Sequence, residues 1–167
     1  MELSLYSASA PMFIRGLDVL SGLLDKAEAS ALSEAELFEA RLAEDMRPFP
    51  DQIRMAAFGA RSCMARLAGI EWPRTDDSEA TLADLKATIA LTRSFISQMP
   101  PDALDGAETR PITLKLPSME LNFVGEGYLT SFALPNFYFH LSMAYAILRS
   151  RGVDLGKRDF LGNIALV

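Results

Sequence analysis

The chain has few of the side chains that form disulfides or bind transition metals: it has one cysteine and one histidine among 167 residues. Cys63 cannot form an intramolecular disulfide, so a reducing compartment is expected. No apolar run approaches the roughly 18 residues that a membrane helix needs. Residues 1–6 also lack the basic segment and apolar run of a signal peptide. These absences predict a cytoplasmic protein with no membrane association.

Positive charge is also scarce. Sixteen Lys and Arg residues stand against 22 Asp and Glu residues, which gives a formal net charge of −6. An acidic chain repels the phosphate backbone of nucleic acids unless its basic residues cluster on one face. The densest basic group lies at the end of the last long helix, where cations interact favourably with the helix dipole. Its members are Arg149, Arg151, Lys157 and Arg158. Nucleic-acid binding is therefore not expected.

Apolar residues are plentiful, at 50% of the chain, which is enough for one sizeable core. We expect a single domain spanning residues 1–167. Apolar positions recur with a helical period in four long segments. These segments are residues 10–29, 51–68, 81–98 and 128–150. A short helix is predicted over residues 33–42, between the first two long helices.

Residues with capping side chains mark several of these helix starts. Ser9 is the expected N-cap of the first helix. Ser33 and Glu36 have the spacing of a capping box for the short helix. Thr81, with Asp84 three residues later, marks the start of the third long helix.

Apolar residues alternate with polar ones between the third and fourth long helices. The alternation covers residues 112–116 and 121–123, which predicts a β-hairpin with its turn near Pro117 and Ser118. Pro135 is expected to interrupt or kink the fourth long helix. The predicted fold is a mostly α four-helix bundle with a short extra helix and one hairpin before the last long helix.

Asn136 and His140 form a polar pair one turn apart in this otherwise apolar helix, so they share a face. An unsatisfied buried polar group costs roughly 1–3 kcal/mol, so the pair must meet partners in the fold or serve a ligand. As an acid or base, His140 would need an orienting partner, and the candidates are Asp45 or Glu44, and Gln52. We favour instead a core histidine bonded to a carbonyl or carboxylate, with Asn136 repairing hydrogen bonds lost at Pro135.

Several stretches carry a resemblance to a known family. They are residues 42–46, Gln52, and residues 66–69, 134–140, 145–149, 152–153 and 156–161. With the order of helices and hairpin, they resemble the domain-of-unknown-function 1993 family, a branch of the DinB and YfiT-like four-helix bundles. The resemblance covers nearly the whole chain and implies a DinB-like fold.

Such bundles typically hold zinc or nickel with three histidines, one from the second long helix and two spaced four apart on the fourth. The resemblance therefore implies a metal position open to water or a thiol substrate. In this chain only His140 matches. Asn136 stands at the other position of the fourth helix, and the second long helix offers Gln52 but no histidine. Amides are poor zinc ligands, so neither a metal nor another cofactor is expected.

The fourth long helix carries aromatic residues on several sides, which is typical of a helix buried in a core and in a subunit interface. These residues are Phe132, Phe137, Tyr138, Phe139 and Tyr145. A homodimer is therefore expected. The leading hypothesis is a metal-free module that binds a small molecule or a partner, with a polar pocket around Asn136 and His140 and with Gln52 and Asp45 as further lining. The alternatives are a metal- and thiol-dependent transferase and a purely structural dimer.

Overall fold

A computed structural model describes residues 4–163 of the chain. Its first half contains four helices: α1 (Leu5–Glu28), α2 (Glu34–Glu39), α3 (Phe49–Ala68) and α4 (Leu82–Ser97). Two short 3₁₀ turns, Pro101–Leu104 and Ala107–Thr109, lead into a hairpin of β1 (Pro111–Leu116) and β2 (Met119–Val124). The chain continues through α5 (Gly125–Tyr128), a π-helical turn (Leu129–Ala133), α6 (Leu134–Ser150) and α7 (Lys157–Leu161).

The long helices α1, α3, α4 and α6 form the bundle. Helix α3 packs against α6 and α4, and α1 packs against the other sides of α4 and α6, so the four helices close a ring around one core. Where α1 meets α6, Phe13 and Phe137 pack edge to face with ring centroids 5.0 Å apart. Gly16 permits this approach, because a Cβ there would overlap the Phe137 ring. The predicted four-helix architecture is confirmed.

Local sequence signals explain most of the helix starts. Capping boxes at Ser33 and Thr81 open α2 and α4 as predicted. The predicted start of α1 is wrong. Ser4 is the N-cap and its hydroxyl accepts from the Ser7 amide at 3.1 Å, whereas Ser9 lies inside the helix and donates to the Leu5 carbonyl at 2.6 Å. A serine can cap a helix or bond back to the preceding turn, and the Ser4 and Ser7 box supplies the cap here.

The hairpin follows α4 and the two 3₁₀ turns in the chain, and both of its strands contact α5. Leu116 pairs with Met119, so the turn falls at Pro117 and Ser118 as predicted. Gly125 follows β2 and sits directly against the Ala107 carbonyl, where a Cβ would overlap the oxygen. The predicted interruption near Pro135 takes the form of the π-helical turn just before it.

None of the helices within residues 4–163 combines the length and the apolarity that crossing a bilayer requires.

Candidate functional site

His140 lies in the core between α6 and α3. It is 5% exposed, and its Nδ1 lies 2.8 Å from Oε1 of Gln52, which is itself 2% exposed. Gln52 donates its amide nitrogen to the Arg47 carbonyl at 2.9 Å. Because the amide nitrogen is used there, the amide oxygen must accept from the imidazole, so Nδ1 carries the proton. Gln52 thus fixes the tautomer and orientation of the ring.

The surroundings of His140 disfavour its charged form. Burial lowers the pKa of His140 below its ordinary value, and the Arg47 guanidinium lowers it further. The ring is therefore neutral at pH 7. The geometry is that of a core histidine, and its partner is the side-chain carbonyl oxygen of Gln52.

Asp45 lies in a different environment. It is exposed in the turn before α3, and no hydrogen bond or ion pair joins it to His140 among the described residues. The structure therefore brings Gln52 to the histidine and leaves Asp45 in solvent.

The donor set does not fit the three-histidine metal centre that the resemblance implies. Both polar ends of the Gln52 amide are already hydrogen-bonded. Cys63 is fully buried, and burial raises the pKa of its thiol, so it is not available as a thiolate. Across residues 4–163, no group of three His, Cys, Asp or Glu side chains is placed to hold a metal ion.

Asn136 faces a different part of α3. Helices α3 and α6 run in opposite directions, since Gln52 meets His140 near one end and Arg66 meets Tyr128 near the other. Asn136 lies between these two contacts, with its amide nitrogen 3.5 Å from the point where a side chain would begin at Gly59. The amide is half-buried and has no hydrogen-bond partner within the described part of the chain.

The Asn136 amide lines a groove of about 280 Å³ between α3, β1 and the segment that leads into α6. Apolar side chains form most of its walls: Met55, Phe58, Leu114, Leu116 and Phe132. His140 is not among the lining residues, so the predicted polar pair is divided between this groove and the core. We call this space the Asn136 groove.

Arg66 and Tyr128 supply polar groups to the lining of the Asn136 groove. The Arg66 Nη1 donates to the Tyr128 hydroxyl at 3.2 Å, and its guanidinium carbon lies 4.8 Å from the Trp72 ring centroid. Burial raises the pKa of Tyr128 to about 12, so its hydroxyl stays neutral. The sequence carries no motif that marks Arg66 or Tyr128 as part of a site. Its one signal was that Arg66 opens a stretch that resembles the family.

The bundle and its hairpin are those of a DinB-like protein. A solved structure of a DinB family member protein from Shewanella denitrificans is similar to this chain, with a TM-score of 0.89 and 34% sequence identity. The match covers 98% of this chain and 94% of that one.

Within that class, the chain belongs to the domain-of-unknown-function 1993 family, which it matches over residues 5–161. No curated protein matches the chain.

Proposed function

We propose that the protein binds a small molecule in the Asn136 groove without the help of a metal ion. The observation that carries this proposal is a half-buried amide without a hydrogen-bond partner among the described residues, facing an apolar groove. Ligand sites typically combine apolar walls with a few polar groups that fix orientation. His140 takes a supporting role, because its bond to Gln52 helps to hold α6 against α3 beside the groove.

The size of the groove sets the class of ligand. Its volume of about 280 Å³ lies just below the usual range for small-molecule sites, roughly 300–1,000 Å³. The groove therefore suits a short metabolite, not a large cofactor.

A groove-filling variant tests this proposal. Gly59→Met extends a side chain from α3 toward Asn136, and replacing a helical glycine favours the helix by up to about 1 kcal/mol. The variant should fold and lose binding. Gly22→Met is the matched control, because Gly22 lies in α1 with open space around it. Small metabolites with neutral, anionic and cationic groups are screened by amide chemical shifts.

A metabolite that binds should shift the amide signals of residues 59–66 and 114–116 in the wild type and in Gly22→Met. In Gly59→Met it should shift none of these signals. Hits that map elsewhere, or that bind Gly59→Met equally well, would contradict the proposal.

The metal- and thiol-dependent transferase makes a different prediction. Protein purified without an affinity tag would carry stoichiometric zinc or nickel, and His140→Ala would release it. We expect no stoichiometric metal, because Gln52, the side chain hydrogen-bonded to His140, is an amide whose two polar ends are already engaged.

We also propose a homodimer, as the aromatic α6 suggests. Phe139 supports this proposal, since it is 52% exposed on a helix whose neighbouring ring, Phe137, is fully buried. Sedimentation of the wild type and Phe139→Ser tests it. We expect a dimer that weakens in the variant, and a monomeric wild type would contradict the proposal.

A further inference from the structure

The charges of the Asn136 groove are of one sign. Arg66 and Lys115 line it, and none of its lining residues is an Asp or Glu. This is notable in a chain with a net charge of −6. The groove therefore concentrates positive potential in a protein that is otherwise acidic.

Arg66 has unused capacity to bind an anion. A guanidinium has five N–H donors, and in the described structure only Nη1 of Arg66 has a hydrogen-bond partner, the neutral Tyr128 hydroxyl. Arg54, on the same helix, is instead engaged by the carboxylates of Asp51 at 2.7 Å and Glu79 at 2.9 Å. No carboxylate lies within 4.0 Å of Arg66 among residues 4–163.

The Arg66 guanidinium is also held in place. The Trp72 ring lies 4.8 Å from its carbon, and Trp72 packs in turn against Phe58 with ring centroids 6.2 Å apart. A guanidinium fixed by stacking loses less conformational entropy when it binds a planar anion such as a carboxylate.

Lys115 contributes a second positive charge from β1. Its cross-strand neighbour is Glu120, but the two do not form an ion pair, and Glu120 accepts instead from Asn122 at 3.3 Å. Lys115 is exposed, so its charge is screened by salt more strongly than that of half-buried Arg66.

We infer that the ligand of the Asn136 groove is a small amphiphilic carboxylate, with its head group on Arg66 and its apolar body along the walls formed by Met55, Phe58 and Phe132. This inference rests on the proposed function. It adds the ligand class and assigns anion recognition to Arg66, with Asn136 as a further polar contact.

Three probes with the same tail and different head groups test the inference: hexanoate, hexanamide and hexylammonium, each titrated by calorimetry. Charge-assisted bonds to an arginine should make hexanoate bind at least about tenfold more tightly than hexanamide. Hexylammonium should bind most weakly. This comparison uses the wild type, so it does not depend on the folding of any variant.

Arg66→Gln should remove the preference for hexanoate over hexanamide, and Lys115→Gln should reduce it by about two- to threefold at low salt. Arg149→Gln is the matched control, since Arg149 is exposed and lies 13 residues beyond Asn136 along the chain. Arg149→Gln should prefer hexanoate over hexanamide to the same degree as the wild type.

The two proposals fail differently. Hexanamide binding as tightly as hexanoate, with both blocked by Gly59→Met, would overturn the carboxylate assignment and leave the groove as a binding site. No binding of hexanoate would overturn the assignment, while the metabolite screen would still decide the proposed function. Hexanoate binding unaffected by Gly59→Met would overturn both.

Discussion

Acidification is expected to destabilise the protein through its single histidine. In the unfolded chain His140 takes up a proton at a pKa of about 6.5. In the folded protein, burial and the Arg47 guanidinium lower the pKa of His140 below that value. Between the two pKa values the unfolded state holds more protons, so the free energy of unfolding falls as the pH falls. Above the unfolded pKa both states are neutral, and the effect is absent.

The size of the effect follows from one proton. Within the window between the two pKa values, the free energy of unfolding should fall by up to about 1.4 kcal/mol per pH unit. The 5% exposure of His140 keeps solvent from screening the charge. His140→Gln should remove this slope. It should also lower stability at neutral pH by roughly 1–3 kcal/mol, since the bond to Gln52 is lost or weakened.

Urea unfolding between about pH 5 and pH 8 measures both quantities. The carboxylates titrate alike in the wild type and the variant, so the difference between the two curves isolates the histidine. Ile147→Val is the control. Ile147 is fully buried in α6, and its truncation should cost about 0.5–1.5 kcal/mol at every pH while leaving the slope unchanged. A difference between wild type and His140→Gln that does not vary with pH would refute a buried, neutral imidazole.

Two further predictions concern the fold. Gly125→Ala should lower the free energy of unfolding by at least about 2 kcal/mol, because the new methyl overlaps the Ala107 carbonyl. Gly127→Ala is the control, since the nearest atom to a Cβ at Gly127 is a side-chain carbon 3.8 Å away. Equal melting temperatures for the two alanine variants would contradict this reading. Thr81→Ala should cost about 1 kcal/mol in urea unfolding, because its hydroxyl caps α4 by accepting from the Asp84 amide at 3.1 Å. An unchanged midpoint would show that this cap does not contribute to stability.

Local patterns in the sequence predicted most of the fold. The capping boxes at Ser33 and Thr81 depend on residues three positions apart, and the hairpin turn at Pro117 and Ser118 depends on the change of apolar period. The pattern predicts the wrong start for α1, because Ser9 precedes a proline that suits a first turn. The cap at Ser4 lacks the usual Glu or Gln partner and uses Ser7 instead.

The composition of the candidate site is harder to predict from the sequence, because it depends on contacts between segments that are distant along the chain. Helical spacing placed Asn136 and His140 on one face of α6, and Gln52 was named as a neighbour of the histidine. Whether Asn136 or His140 faces the groove depends on how β1 and α3 pack beside α6. The contact of Arg66 with Tyr128 joins residues 62 positions apart, and no periodicity carries that information.

The π-helical turn Leu129–Ala133 has a consequence for how this chain tolerates changes in length. A π turn holds one residue more than an α turn, so deleting a single residue there would restore the regular helix. Because the extra residue is held within that one turn, the deletion would leave the segments before and after it close to their present orientation. Strand β1 would then keep its place beside α3. Leu129–Ala133 should therefore tolerate a one-residue deletion better than the regular turns of α6, where removing a residue rotates one flank relative to the other by about 100°.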